Sequence, residues 1–337
     1  MSTGNTRVSS GAGIPLLADP GRKPGSFRKR RLSRPPAAGH GTRAAHLAPS
    51  VWFAIPAIAI FAVVVLYPTI EGIVYSFTSW TGLGGGITFT GLANYRDLTH
   101  SSEALDALGH TVTIAAVVTV AQNLVGLGLA LALNSRIKSR SVLRTILFAP
   151  VVMTPIVVGY MWQYIYTPSG ALSSALSGIA GNSAGTVNFL GSPSVALWAV
   201  IIVIIWQYAG YSMAIFLAGL QNVPRELHEA AAMDGAGAIK RFWWVTRPLL
   251  RTAIVINVTL ALVTSLKTFD QVLALTQGGP GYATQTLSTL LFNEAFLFDR
   301  YGYGMTLAVA LFVLVMVAAF TQLRFSGGTS AVGRRAR

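Results

Sequence analysis

Six apolar runs, each long enough to cross a hydrocarbon core of about 30 Å as a helix, leave this chain few ways to fold. They fall at about 51–76, 110–133, 145–166, 196–219, 252–276 and 303–323. Backbone polar groups in lipid must be satisfied within the protein, and the runs lack the period-2 alternation of barrel strands. They therefore predict an all-α polytopic membrane protein with six transmembrane helices. Composition points the same way: 53% of the 337 residues are hydrophobic, 11% are charged, and the mean hydropathy is +0.57. A soluble fold of that size is hard to write with so few charges.

Charge placement supplies the topology. Residues 1–48 carry nine Lys/Arg against one acid, Asp19, with no apolar period, and read as a disordered basic tail. Four more basic residues lie between Arg136 and Arg144, five between Arg225 and Arg251, and four after residue 323. The alternate loops hold only Arg96 and Arg300. This bias predicts cytoplasmic N and C termini and a cytoplasmic loop at 221–250, in a multi-pass protein of the cell membrane. The expected organisation is then the tail 1–48, a six-helix domain at 49–325 with its core at about 109–322, and a C-terminal tail at 326–337. The net charge of +14 follows from topology, because the basic residues are not interleaved with aromatics on one face as nucleic-acid binding requires. With no cysteine and no ligand-spaced histidine cluster, neither disulfide nor metal site is expected.

The cytoplasmic loop holds a sharply written polar segment, EAAAMDGAGAIKRFWWVTRP, from Glu229 to Pro248. Pro224 and Glu226 suit a helix start, and the helix is expected to run to about Met233. Asp234-Gly235-Ala236-Gly237 interrupts it, with Asp234 placed to cap a second helix from about Ala238 toward Pro248. A helix of roughly nine residues is too short to be stable alone in water, so something must dock on it. Ala230, Ala231 and Ala232 let another backbone approach closely beside the single charge of Glu229. Ile239, Phe242, Trp243 and Val245 recur at helical spacing and call for an apolar floor. An ordinary interfacial loop, with Trp243 and Trp244 at headgroup depth, explains the same residues from physics alone.

The order of these residues resembles the cytoplasmic motif of binding-protein-dependent ABC importer permeases: Glu-Ala-Ala, three residues, Gly, nine residues, Ile, one residue, Leu-Pro. Here Glu229, Ala230, Ala231, Gly235 and Pro248 match, Val245 stands for the Ile and Arg247 for the Leu. YPTIEGIVYSF, FTGLANYRDL, LKTFD and LTQGGPGYATQTL extend the likeness to carbohydrate permeases of the maltose and glycerol-phosphate type over about 50–325. The resemblance implies a type I importer permease fold. It also implies a sugar or sugar derivative as cargo, moved by alternating access. The implied partners are two copies of a cytosolic ATPase that bind ATP and Mg, a second homologous permease, an extracytoplasmic solute-binding protein and membrane lipid. Glu229, Ala230, Ala231, Asp234, Gly235, Ala236 and Gly237 would form the coupling loop, anchored by Phe242, Trp243, Val245 and Pro248. The chain has no G-x-x-x-x-G-K-[ST] loop of its own, so it carries no nucleotide cofactor in this reading.

Polar groups inside apolar runs are the candidates for a solute pathway, since they are costly in lipid. Asn257, Lys267, Asp270, Gln271, Gln163, Gln207 and Tyr208 qualify, with Lys267 and Asp270 spaced to pair on one helix face as either a structural or a solute-binding feature. Two other functions were open. The Glu-Ala-Ala pattern alone also fits importers of non-sugar solutes. An intramembrane enzyme lacks its parts here: no H-E-x-x-H, no G-x-S-x-G and no paired acids inside the runs.

Overall fold

The structure, a computed structural model, describes residues 54–82, 86–135, 138–180 and 188–327. The expected basic tail 1–48, the start of the first apolar run at 51–53 and residues 328–337 lie outside the described residues. Two compact units result, residues 1–56, of which 54–56 are described, and residues 57–337. Apart from the first two residues of α1, all the helices below lie in the second unit.

Four helices are long and apolar enough to cross a membrane: α1 (Ile55–Tyr75), α3 (Ser102–Leu133), α7 (Pro193–Gln221) and α13 (Tyr301–Gly327). Two bent pairs raise the number to six if each is one span. The first is α4 (Arg140–Val152) with α5 (Pro155–Ile165), bent by 99°. The second is α9 (Ala238–Leu249) with α10 (Arg251–Leu266), bent by 73°. Shorter helices complete the chain: α2 (Ala93–His100), α6 (Ala171–Ala180), α8 (Arg225–Met233), α11 (Asp270–Leu275) and α12 (Leu287–Leu297).

Several expected boundaries need correction. The second apolar run starts at Ser102 rather than 110, because the Ser101 hydroxyl caps the helix by accepting from the Ala104 N–H at 3.2 Å and Glu103 sits in the first turn. Helices α2, α6 and α12 lie in stretches read as loops. The third run is not one straight helix, since Pro155 drives Thr154 to extended backbone (φ −64°, ψ 141°) and stops α4 one turn past Pro150. The fifth run does not reach 276 unbroken: α10 ends at Leu266, Lys267 to Phe269 turn the chain, and α11 restarts at Asp270. Ser265 donates its hydroxyl back to the Ala261 carbonyl at 2.7 Å, and the Thr286 hydroxyl reaches the Thr268 carbonyl at 3.2 Å. Non-helical backbone between these apolar helices survives because protein groups satisfy it.

α7 is the central helix. α3 packs along it, and α4 and α10 also contact it. One apolar cluster gathers Ile114, Val118, Val158, Val200, Val203, Ile204, Val272 and Leu275, and a second gathers Ala130, Met213, Phe216, Leu217, Leu220 and Leu250. Small residues set the spacing. A Cβ added at Gly126 would come within 2.4 Å of the Ser212 Cβ, and one at Gly210 within 2.1 Å of the Leu147 carbonyl oxygen. α1 stands apart from this core, with Ile58, Ile60, Val63 and Val64 exposed and only its second half packed on α13.

Candidate functional site

The segment after α7 folds as an elbow. Pro224 (φ −59°, ψ 132°) opens α8, and Gly235 closes it in left-handed backbone at φ 75°. The Ala236 N–H reaches the Ala231 carbonyl at 2.9 Å and the Gly235 N–H reaches that of Ala232 at 3.1 Å, the paired bonds of a Schellman stop. Asp234 is thus the C-cap of the first helix and not the N-cap of the second; that position falls to Gly237, extended at ψ 170° and without a side-chain cap. Local sequence allowed both readings, and the positive φ at Gly235 decides between them. A Cβ at Gly235 would meet nothing within 4 Å, so Gly235→Ala tests backbone strain alone. Its expected cost of about 1–2 kcal/mol should loosen α8 and speed limited tryptic cleavage at Arg225 roughly fivefold or more.

Glu229, Ala230, Ala232 and Met233 are exposed on α8, so among the described residues nothing covers this part of the small-sided face or its charge. α9 continues to Leu249 with a π-type turn at Phe242–Thr246. Of the expected anchor residues, the structure buries some and exposes others. Phe242 and Val245 are half-buried, but Trp243 and Pro248 are exposed, and the residues that reach the interior are Thr246 and Leu250. Ile239 likewise finds no apolar floor. Arg247, the departure from the family motif, places its guanidinium 4.9 Å from the centre of the Trp243 ring. The spacing of four between them was legible as a helical pair.

Inside the bundle the amides form two short ladders. Gln271 on α11 donates to the Gln207 Oε1 at 3.0 Å, and Gln207 donates to the Met153 carbonyl at 3.1 Å, where α4 breaks from α5. Gln207 and Gln271 are buried, so each closes backbone and amide valences across the two breaks rather than facing open space. Gln163 reaches the Leu275 carbonyl at 3.4 Å, at the end of α11. The second ladder meets at Ser212: Gln122 donates to its hydroxyl at 2.8 Å and Asn257 to its carbonyl at 3.2 Å. Asn257 is fully buried, and its Oδ1 has no partner among the described residues.

Beside this second ladder lies a cavity of about 210 Å³ lined by Gln122, Val151, Tyr208, Tyr211, Leu260, Ala261 and Thr264. Of the expected pathway residues, only Tyr208 lines it. Gln122 and Tyr211 were missed, although a buried glutamine in the middle of an apolar run is the kind of signal that could have found the first. Lys267 and Asp270 do not pair. The break at 267–269 removes the helical spacing, Lys267 is exposed, and the one ion pair among the described residues joins Arg300 and Glu294 at 3.0 Å.

Residues 122–325 match the family of the binding-protein-dependent transport system inner membrane component. The multiple sugar-binding transport system permease protein MsmF of Streptococcus mutans is 34% identical over 261 residues, covering 77% of this chain and 89% of its own length. The trehalose/maltose transport system permease protein MalF of Thermococcus litoralis is 33% identical over 276 residues, covering 80% and 90%. Among solved structures, a bacterial ABC transporter involved in import of the acidic polysaccharide alginate superposes with a TM-score of 0.71 at 21% identity, over 82% of this chain and 94% of that one. This last similarity concerns the fold.

Proposed function

Because the chain belongs to the family of binding-protein-dependent transport system inner membrane components, we propose a division of labour within it between a cytoplasmic elbow and a moving bundle. It is the permease subunit of a sugar ABC importer, a multi-pass membrane component and not an enzyme. Its cargo is moved, and the energy comes from elsewhere.

In our reading each bent pair counts toward a six-span topology with both termini in the cytoplasm, supported by the Lys/Arg bias between the runs. A separate cytosolic ATPase, two copies per transporter, binds ATP and Mg and takes α8 into a groove at Glu229 to Ala232. A second homologous permease covers the bare face of α1, and an extracytoplasmic solute-binding protein delivers the sugar. The observation that carries this reading is the nine-residue α8, stopped by Gly235 and left exposed between apolar helices in a chain without a phosphate-binding loop. The cavity at Gln122, Tyr208 and Tyr211 is smaller than the roughly 300–1,000 Å³ usual for a ligand pocket, so the partner permease is expected to complete it.

Affinity purification of the tagged chain from its own cells should recover an ATPase and a second permease in stoichiometric amounts. Recovery of the chain alone, with sugar uptake intact in reconstituted vesicles, would overturn the reading.

A further inference from the structure

We propose that the face of α9 formed by Ile239, Lys240, Trp243, Trp244 and Arg247 binds the headgroup of an anionic phospholipid. This rests on the cytoplasmic placement of the elbow argued above. A helix inclined at 73° to α10 lies close to the membrane surface when α10 runs through the bilayer. Lys240, Trp243, Trp244 and Arg247 recur at helical spacing and so present one common face. That face is uncovered: Ile239 is 77% exposed, Trp244 81% and Trp243 53%. Between the residues runs an open groove of about 380 Å³.

Its chemistry selects a phosphate carried on a lipid. Two tryptophans and an isoleucine suit the boundary between headgroups and acyl chains, where an amphipathic ring is at home. The Arg247 guanidinium lies over the Trp243 ring, 4.9 Å from its centre, which steadies a group whose N–H donors suit paired bonds to phosphate oxygens. Lys240 adds a second charge about two turns away. Among the described residues neither cation makes an ion pair, and no acid occurs between Asp234 and Asp270. Arg251, by contrast, already donates to the Ser326 carbonyl. A protein partner on this face would have to supply acids of its own, whereas an anionic lipid brings charge and an apolar body in one molecule. α8 and its Glu229 belong to a different helix, so the two contacts do not compete. Bound lipid would then fix the depth of the elbow, from which the ATPase contact is made.

The test is native mass spectrometry of the full-length chain in detergent, titrated with phosphatidylglycerol and with phosphatidylcholine. Wild type should prefer phosphatidylglycerol, and the preference should fall by about fivefold for each basic side chain removed. Arg247→Leu restores the residue of the family motif and is therefore safe for folding; Lys240→Gln with Arg247→Gln should remove most of the preference. Arg140→Gln with Arg144→Gln, in the first turns of α4, should leave it unchanged. An undiminished preference in the Lys240/Arg247 pair would overturn the proposal. So would displacement of the lipid by inorganic phosphate at the same concentration, which would mark a site for free anions. Loss of ATPase co-purification in the pair with lipid preference retained would assign the face to a protein and equally overturn it. Topology is scored separately, by cytoplasmic labelling of Ala232→Cys in this cysteine-free chain, and neither readout depends on uptake.

Discussion

Exchanging Glu229 for lysine should reduce ATP-driven sugar uptake at least about 100-fold while leaving the amount of inserted, folded chain unchanged. The charge stands exposed on α8 and makes no ion pair among the described residues, so its reversal removes nothing that holds this chain together. Surface changes of that kind usually stay within about 0.5 kcal/mol of wild type in stability. At an interface the balance is different. Truncating one partner of a buried charge pair costs about 2–5 kcal/mol, and a reversed charge adds repulsion to the loss. The measurement is uptake of labelled sugar beside the quantity of protein in the membrane fraction. Wild-type uptake by the variant would end the proposed role of α8. A fall in both quantities would instead show that Glu229 supports folding, contrary to its exposure.

Placing valine at Gly210 should be among the most damaging single changes to the bundle. The first atom of any side chain there would sit 2.1 Å from the Leu147 carbonyl oxygen and 3.0 Å from the Phe148 Cα, and backbone cannot turn aside as a side-chain tip can. α4 would have to withdraw from α7. The Gln207 bond to the Met153 carbonyl would go with it, exposing a carbonyl that the break has already freed from its helix. Overpacking alone costs about 1–3 kcal/mol, and an unsatisfied buried group adds about 1–3 kcal/mol more. The expected result is loss of the monodisperse species in detergent, or a fall of many degrees in its unfolding midpoint. Gly128→Val is the control, because a Cβ at Gly128 meets nothing within 4 Å. Equal behaviour of the two variants would contradict the close approach of α4 to α7.

Apolar length pointed to the long helices but began the second eight residues late and ran through the breaks in the third and fifth runs, while residue order located the elbow; both signals are properties of consecutive side chains. The breaks were harder to see. Hydropathy stays high through Met153 and Thr154 and through Leu266, so a length criterion passes over them, and the groups that make them tolerable lie far along the chain. Gln207 serves a carbonyl 54 residues away and Thr286 one 18 residues away. Reading Gln207, Gln271 and Asn257 as pathway residues followed from their cost in lipid, which is real. That cost is met for Gln207 and Gln271 by amide and backbone partners and for Asn257 only at its Nδ2, and those partners lie far along the chain. Asp234 shows a local limit: a capping residue followed by glycine satisfies the rules for the end of one helix and the start of the next, and a single backbone angle chooses.

The isolation of α1 bears on how the protein is made. The Ser76 carbonyl, just beyond its end, accepts from the Asn94 amide at 2.9 Å and from the Thr306 hydroxyl at 3.0 Å, the latter across 230 residues. Synthesis runs from the N-terminal side, so the first of these helices to leave the ribosome waits for the last before its packing is complete. Until α13 is inserted, only lipid and the short α2 segment restrain α1. Arrival of α13, rather than entry of the first helix into the bilayer, is the event that completes the packing of α1 within this chain.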